Sequence, residues 1–208
     1  MKRLSISQFR ERGEKEKTRV IIESLGVYLP EKSVTTKEII SGCSRKIMIP
    51  LERLTGIESR HMAGDGEYSF DLAVKSIEEC LSRSEYSAAD LDFIISCNIS
   101  RYDGPDHYSF EPSTASRLRT RFGIDEALAF DVTNACAGTF TGIYVAEALI
   151  RTGAARRGMV VSGEYITHVT QTAQKEISSG LSDPLLACLT LGDAGAAVLL
   201  DAVTDENN

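Results

Sequence analysis

One cysteine of this 208-residue chain stands where chemistry could be done. The segment Asp131-Val-Thr-Asn-Ala-Cys136-Ala-Gly138 joins an apolar run to a long helical pattern. A strand, a tight turn and a helix start present the residue at their junction on a sharp elbow. There a thiol meets the positive end of the helix and its unpaired N–H groups, and both favour the thiolate, the nucleophilic form. A small buried hydrophobe at a βα turn is the other reading, since that is what free cysteines usually are. Spacing alone leaves both open. Cys43, Cys80, Cys97 and Cys188 lie in loop, helix and strand patterns without this geometry and read as core or incidental residues.

The elements that must position such a residue follow from hydrophobic periodicity. Val20–Leu25 reads as a strand ended by the Gly26 and Pro30 region. Thr35 or Thr36 caps a short helix through Ile40. Phe70, Ala73, Val74, Ile77 and Leu81 recur at helical spacing with charges between them. Leu91–Ser96 is a second strand. Pro112 sits where a first helical turn tolerates it, and that helix runs to Phe122. Ala127–Thr133 is a third strand, followed by a helix from Ala135 or Cys136 to Thr152. Met159–Ser162 and Ala196–Leu200 complete the strands. Such alternation predicts an α/β fold with a mixed, largely parallel sheet and covering helices. The helix after Cys136 carries one charge, Glu147, before Arg151. Helices apolar all round are buried on all sides, so something outside this chain is expected to pack over it. Gly138 and Gly142 leave room for another backbone.

Composition limits the function classes. Hydrophobic residues make up 42% and the formal net charge is −7; the acidic balance argues against a general polyanion binder, though not against a local basic patch. No stretch is long and apolar enough to span a bilayer. The N-terminus is charged and lacks an apolar signal core. The five cysteines form no CxxC pair, and free thiols in a reducing cytoplasm are the simplest expectation. Residues 1–19 read as a mobile charged extension rather than a nucleic-acid arm. Residues 20–201 read as one domain, and 202–208 as a tail. No dinucleotide loop, phosphate loop or zinc motif is present, so no metal or nucleotide cofactor is implied.

Four segments carry a specific resemblance: Leu54-Thr-Gly-Ile-Glu-Ser-Arg-His61, Glu111-Pro-Ser-Thr114, Asp131 to Gly138, and Gly192-Asp-Ala-Gly-Ala-Ala-Val-Leu199. In this order and spacing, from about residue 20 to 201, they resemble the N-terminal half of thiolase-fold condensing enzymes of the β-ketoacyl-ACP synthase III family. The resemblance implies that Cys136 takes an acyl group from a CoA or acyl carrier protein thioester. It implies that a malonyl-type thioester then attacks in a decarboxylative Claisen condensation, in fatty-acid, other lipid or secondary-metabolite synthesis. It also implies a layered fold of two similar halves, with the cysteine helix between them, and a homodimer paired beside the cysteine strand. The Cys136 N–H is the expected oxyanion donor.

Departures from the family pattern matter as much. The family's His and Asn come from its C-terminal half, which this sequence does not reach, so that half is expected in cis or in trans and the chain alone is expected not to condense. His61, His107 and His168 do not occupy those positions. A Trp and an Arg that contact CoA in acetyl-CoA-using members become Pro50 and Leu54, so that clamp is not carried over. Glu111 replaces an apolar residue. This resembles the head-to-head condensing enzymes of bacterial long-chain olefin synthesis, in which a Glu before the Pro enters the partner's site as a base. A desolvated carboxyl suits proton abstraction; a Glu stabilised by a helix N-terminus is the equally weighted alternative. Asp193 and Glu164 read as structural. Arg117, Arg119 and Arg121 could meet an acidic carrier protein, although a solvated helix face is the commoner meaning. A reading from a different class is a noncatalytic thiolase-like subunit that shapes a partner's acyl tunnel; the retained Cys136 speaks against it.

Overall fold

The computed structural model of the protein describes residues 18–104, 107–178 and 183–203. Its centre is a five-stranded sheet. In spatial order the strands are β1 (Arg19–Tyr28), β9 (Ala194–Val203), β8 (Arg157–Glu164), β4 (Phe93–Ser96) and β7 (Leu128–Asp131). β4 pairs in parallel with β7 and β8, while β9 pairs antiparallel with β1 and β8. Only β9 therefore runs against the other four, which gives the mixed, largely parallel sheet that the alternation of elements predicts.

Side chains on β4 alternate between faces, as the pleat requires. Ile94 joins Met159 and Leu199 under helices α3 (Ser69–Ser82) and α4 (Thr114–Arg121), in a cluster that includes Ile77 and Leu118. Phe93 and Ile95 point the other way, with Val160 and Val198, beneath α5 (Gly138–Arg151). A third cluster joins Ile39, Leu51, Met62 and Ile177. It lies among α1 (Thr36–Ser41), α2 (Leu51–Thr55), α6 (Thr167–Glu176) and a ribbon of β2 (Lys32–Thr35) with β3 (Ser59–Met62). Thr35 caps α1, and a capping box with Glu38 satisfies two end groups at once.

Several element ends differ from the sequence reading, and the packing explains the following. β1 continues through Gly26, because that glycine does not end the strand but lets α3 approach it. A Cβ there would lie 2.2 Å from the Ser76 carbonyl oxygen. α4 begins at Thr114 rather than at Pro112, with Ser113 as its N-cap. The expected 1–19 extension lies outside the described residues apart from Thr18 and Arg19, and Arg19 opens β1. Of the expected tail, Ala202 and Val203 belong to β9, and 204–208 are outside the described residues. The polar hairpin of β5 (Tyr102–Gly104) and β6 (His107–Tyr108) has no periodic signal in the sequence.

The far end of β1 is tied to α3 by a charged cluster. Tyr28 Oη donates to Glu67 at 2.6 Å, and Lys75 Nζ donates to Glu67 at 2.5 Å and to Tyr28 at 2.9 Å. The Lys75 ammonium, then the Tyr28 hydroxyl, hold the Glu67 carboxyl down to about 2. A carboxyl lowered in the folded state stabilises it above the unfolded value of about 4.3 and loses that contribution as pH falls through the folded value. Thermal melts of Glu67→Gln should therefore fall less steeply than those of the unaltered protein between about pH 4.3 and pH 2. Parallel slopes in that window would remove the cluster from the account.

Candidate active site

β7 ends at Asp131, and the chain turns at the carboxyl edge of the sheet, where ligands gather in open α/β folds. Ala135 has φ 44°, in the left-handed region, a strain of roughly 1–3 kcal/mol for a non-glycine residue. Cys136 follows in a 3-10 turn, Ala135–Ala137, and α5 starts only at Gly138. This corrects the expected start of the α-helix at Ala135 or Cys136: the elbow uses a tighter turn first. The Ala137 N–H donates to the Asn134 carbonyl at 3.0 Å, and the Gly138 N–H to that of Ala135. Asn134 Nδ2 reaches forward to Thr141 Oγ1 at 2.9 Å, and that hydroxyl donates to the Ala137 carbonyl. The Cys136 N–H has no acceptor among the described residues.

Of the five free cysteines only Cys136 is exposed. Burial pushes the thiols of Cys43 and Cys80 up, and burial with the nearby Asp131 charge pushes Cys97 to about 11. These three hold their protons. Cys136 lies in the turn just before the N-terminus of α5. Neither of two large cavities includes it. One, of about 810 Å³, is lined by Leu91, Ile150 and Arg156 at the opposite edge. The other, of about 440 Å³, is lined by Ile40, Ile49, Pro50 and Arg53. Pro50 thus helps to line an apolar recess, and Leu54 is exposed.

α5 rests on the sheet through a ridge of small residues, Gly138, Gly142 and Ala146, with Ile150. A Cβ on Gly142 would lie 2.5 Å from Cys97 Sγ and 2.8 Å from a Val160 methyl. Gly142→Ala must lift the helix that carries the elbow. It is expected to cost about 1–3 kcal/mol of stability and to slow Cys136 alkylation; a melting temperature equal to that of the unaltered protein would contradict the close approach. The outward face of α5 shows Phe140 and Tyr144, 76% and 74% exposed. The helix that its composition marks for burial on all sides is therefore covered on one side only among the described residues.

Glu111 is exposed and makes no hydrogen bond or ion pair among the described residues. Its peptide bond to Pro112 is cis. Glu111 bonds none of the first amides of α4, which have other acceptors. Asp131 accepts from the Thr114 N–H at 3.1 Å and the Ala115 N–H at 2.8 Å, and Ser113 Oγ accepts from Ser116. The sequence reading missed this role of Asp131; it spans 17 residues and has no local signature.

The remaining candidates are engaged elsewhere. His61 Nδ1 meets the Pro30 carbonyl at 2.6 Å, and His107 pairs with Asp103. His168 packs between Tyr102 and Tyr165, and burial holds its imidazole below the usual histidine value. Asp193 is buried and accepts from the N–H groups of Ala63, Ile166 and Thr167 and from the Thr167 hydroxyl. Glu164 gathers the N–H groups of Ile99 and Ser100 and the Ser100 hydroxyl. Arg117 pairs with Asp103, Arg121 with Glu78, and Arg119 donates to the Ala127 carbonyl. Arg117 and Arg119 are thus half-buried and bonded within the chain, whereas Arg121 stays exposed on the helix face. Among the described residues no group of three or more His, Cys, Asp or Glu could hold a metal ion, and no helix is long and apolar enough to cross a membrane.

Comparison with known proteins agrees with this geometry. A profile of the 3-oxoacyl-[acyl-carrier-protein (ACP)] synthase III family matches residues 130–208. The β-ketoacyl-[acyl-carrier-protein] synthase III 2 of Halalkalibacterium halodurans is 31% identical over 186 residues, 89% of this chain and 50% of that protein. The Rickettsia felis synthase III is 32% identical over 182 residues, 88% of this chain and 52% of that protein. The chain spans about half the length of the curated relatives it matches. Among solved structures, cerulenin-bound OleA of Xanthomonas campestris superposes with a TM-score of 0.77 at 24% identity, covering 94% of this chain and 59% of that one. A variant of OleA in which one histidine is replaced by alanine gives 0.77 at 25% identity, over 92% and 58%.

Proposed function

Because this chain is a homologue of the β-ketoacyl-ACP synthase III enzymes, with their thiolase fold, we propose that it is the acyl-accepting half of a condensing acyltransferase. The observation that carries this reading is a single exposed cysteine on a strained elbow before a helix N-terminus. The Cys136 thiolate attacks the carbonyl of an acyl-CoA or acyl-ACP thioester. The oxyanion that forms takes the Cys136 N–H, the tetrahedral intermediate collapses, and the CoA or carrier thiolate leaves. In the second half-reaction a carbanion attacks the acyl-enzyme carbonyl, a carbon–carbon bond forms, and the Cys136 thiolate is released. A malonyl-type thioester supplies that carbanion by losing carbon dioxide.

A second route has an observation of its own. Exposed and unpaired, Glu111 is free to take the α-proton of a second long acyl thioester, in the partner subunit's site of a homodimer. Condensation then needs no decarboxylation. In either route the exposed Phe140 and Tyr144 face of α5 is covered by a second thiolase-like half, in cis or in trans, which brings the polarising groups for the incoming thioester.

The test is product formation from an acyl-CoA with malonyl-ACP, or with a second long-chain acyl-CoA, by the 208-residue chain alone and with a His- and Asn-bearing second half added. Acylation without condensation by the chain alone, and β-ketoacyl product on addition of the second half, is the expected pattern. Full turnover by the chain alone, or none with either, would contradict the reading.

A further inference from the structure

Arg101 is the residue of the β4–α4 loop that reaches the cysteine turn. Its Nη2 lies 3.4 Å from Asp131 Oδ2 and 3.3 Å from Thr133 Oγ1. Its guanidinium carbon is 5.8 Å from the centre of the Phe110 ring, next to Glu111. Its carbonyl accepts the Ser109 N–H at 2.9 Å. Both partners of the ion pair are nearly enclosed, at 16% and 9% side-chain exposure. Such a pair is screened far less than a surface one.

From this geometry we propose that Arg101 is a positioning residue that sets the Glu111 segment and the Cys136 elbow in one fixed relation. The inference rests on the proposed function for what the two segments do, and on the contacts alone for how they are held. Upstream of Glu111, the Ser109 N–H is bonded to the Arg101 backbone carbonyl, and the exposed Phe110 ring lies near the guanidinium. Downstream, the α4 amides of Thr114 and Ala115 are held by Asp131. Asp131 is also the ion-pair partner of Arg101 and stands at the end of the strand that delivers Cys136. Thr133 has no strand pairing, and the Arg101 contact is its tie before the strained Ala135. One nitrogen, Nη2, addresses both oxygens; lysine keeps the charge on a shorter, more flexible stem without the planar face. Without Arg101 the α4 cap at Asp131 remains, so the fold has a reason to persist while the elbow loosens.

The test compares the unaltered chain with Arg101→Met, Arg101→Lys and Thr133→Val. Two rates are measured on protein shown to be folded by circular dichroism: alkylation of Cys136 by iodoacetamide, and acyl transfer to Cys136 from a saturable acyl-CoA. Arg101→Met should lower the alkylation rate and the maximal acyl-transfer rate about tenfold each, with the half-saturating donor concentration unchanged. Arg101→Lys should recover part of the loss. Thr133→Val, which removes only a hydroxyl acceptor, should cost about threefold and decides the matter if Arg101→Met does not fold. Rates within about 1.5-fold of the unaltered chain for every folded variant would overturn the inference. If the unaltered chain takes no acyl group, the proposed function fails, and alkylation still decides the role of Arg101.

Discussion

Cys136→Ser will lower acyl transfer by at least about 10³-fold and leave the fold intact. The two side chains are nearly isosteric, and position 136 is exposed, so no packing is lost. What changes is ionisation. A helix N-terminus can favour a thiolate already within reach of neutral pH, but it cannot ionise a hydroxyl, which needs a general base beside it. None of the three histidines bonds to the elbow among the described residues, so serine has no such base. Intact mass after incubation with an acyl-CoA, together with a thermal melt, reads both halves of the prediction. A serine variant that still acylates within tenfold of the parent would mean that the elbow recruits a base the geometry does not show.

Glu111→Gln separates the two condensation routes. An amide cannot accept a proton, and a positioned general base typically contributes 10²–10⁴-fold. With the second half added and two long acyl thioesters as substrates, condensation should fall by about that factor while acylation of Cys136 is unchanged. With a malonyl thioester the same variant should condense normally, because decarboxylation generates the carbanion without a base. Equal condensation by parent and variant in the first assay would remove Glu111 from the chemistry. An acylation defect would place it in substrate entry instead.

The parts of this site that were legible in the sequence are local ones. The elbow shows as an apolar strand run, a cysteine and glycines at close spacing, and those residues form the turn because the glycines admit the β4 end at Cys97. The buried β4 shows as a continuous apolar run for the same local reason. What was illegible depends on contacts distant in sequence. Gly26 reads as a strand breaker until α3 is seen lying against it. Pro112 reads as a helix start until Asp131 is seen to hold the amide of Thr114, 17 residues before it. Arg101 and Thr133 are 32 residues apart, and no periodicity links them. The partners of the α4 arginines, Asp103, Glu78 and the Ala127 carbonyl, lie outside the helix and leave no periodic signal.

The outward face of α5 illustrates how composition can outrun a single chain. Its apolar character was evident from sequence and predicted a cover. Phe140 and Tyr144 remain exposed, together with Ile22, Leu25 and Val27 of β1. Exposed apolar surface of that kind is where a covering partner is expected.

The most direct measurement is peptide mapping of the chain after incubation with acyl-CoA and acyl-ACP donors. The account predicts one acyl group per chain, on Cys136, and none after prior alkylation of that thiol. No adduct with any donor, or an adduct on Cys43 or Cys188 in place of Cys136, would contradict it.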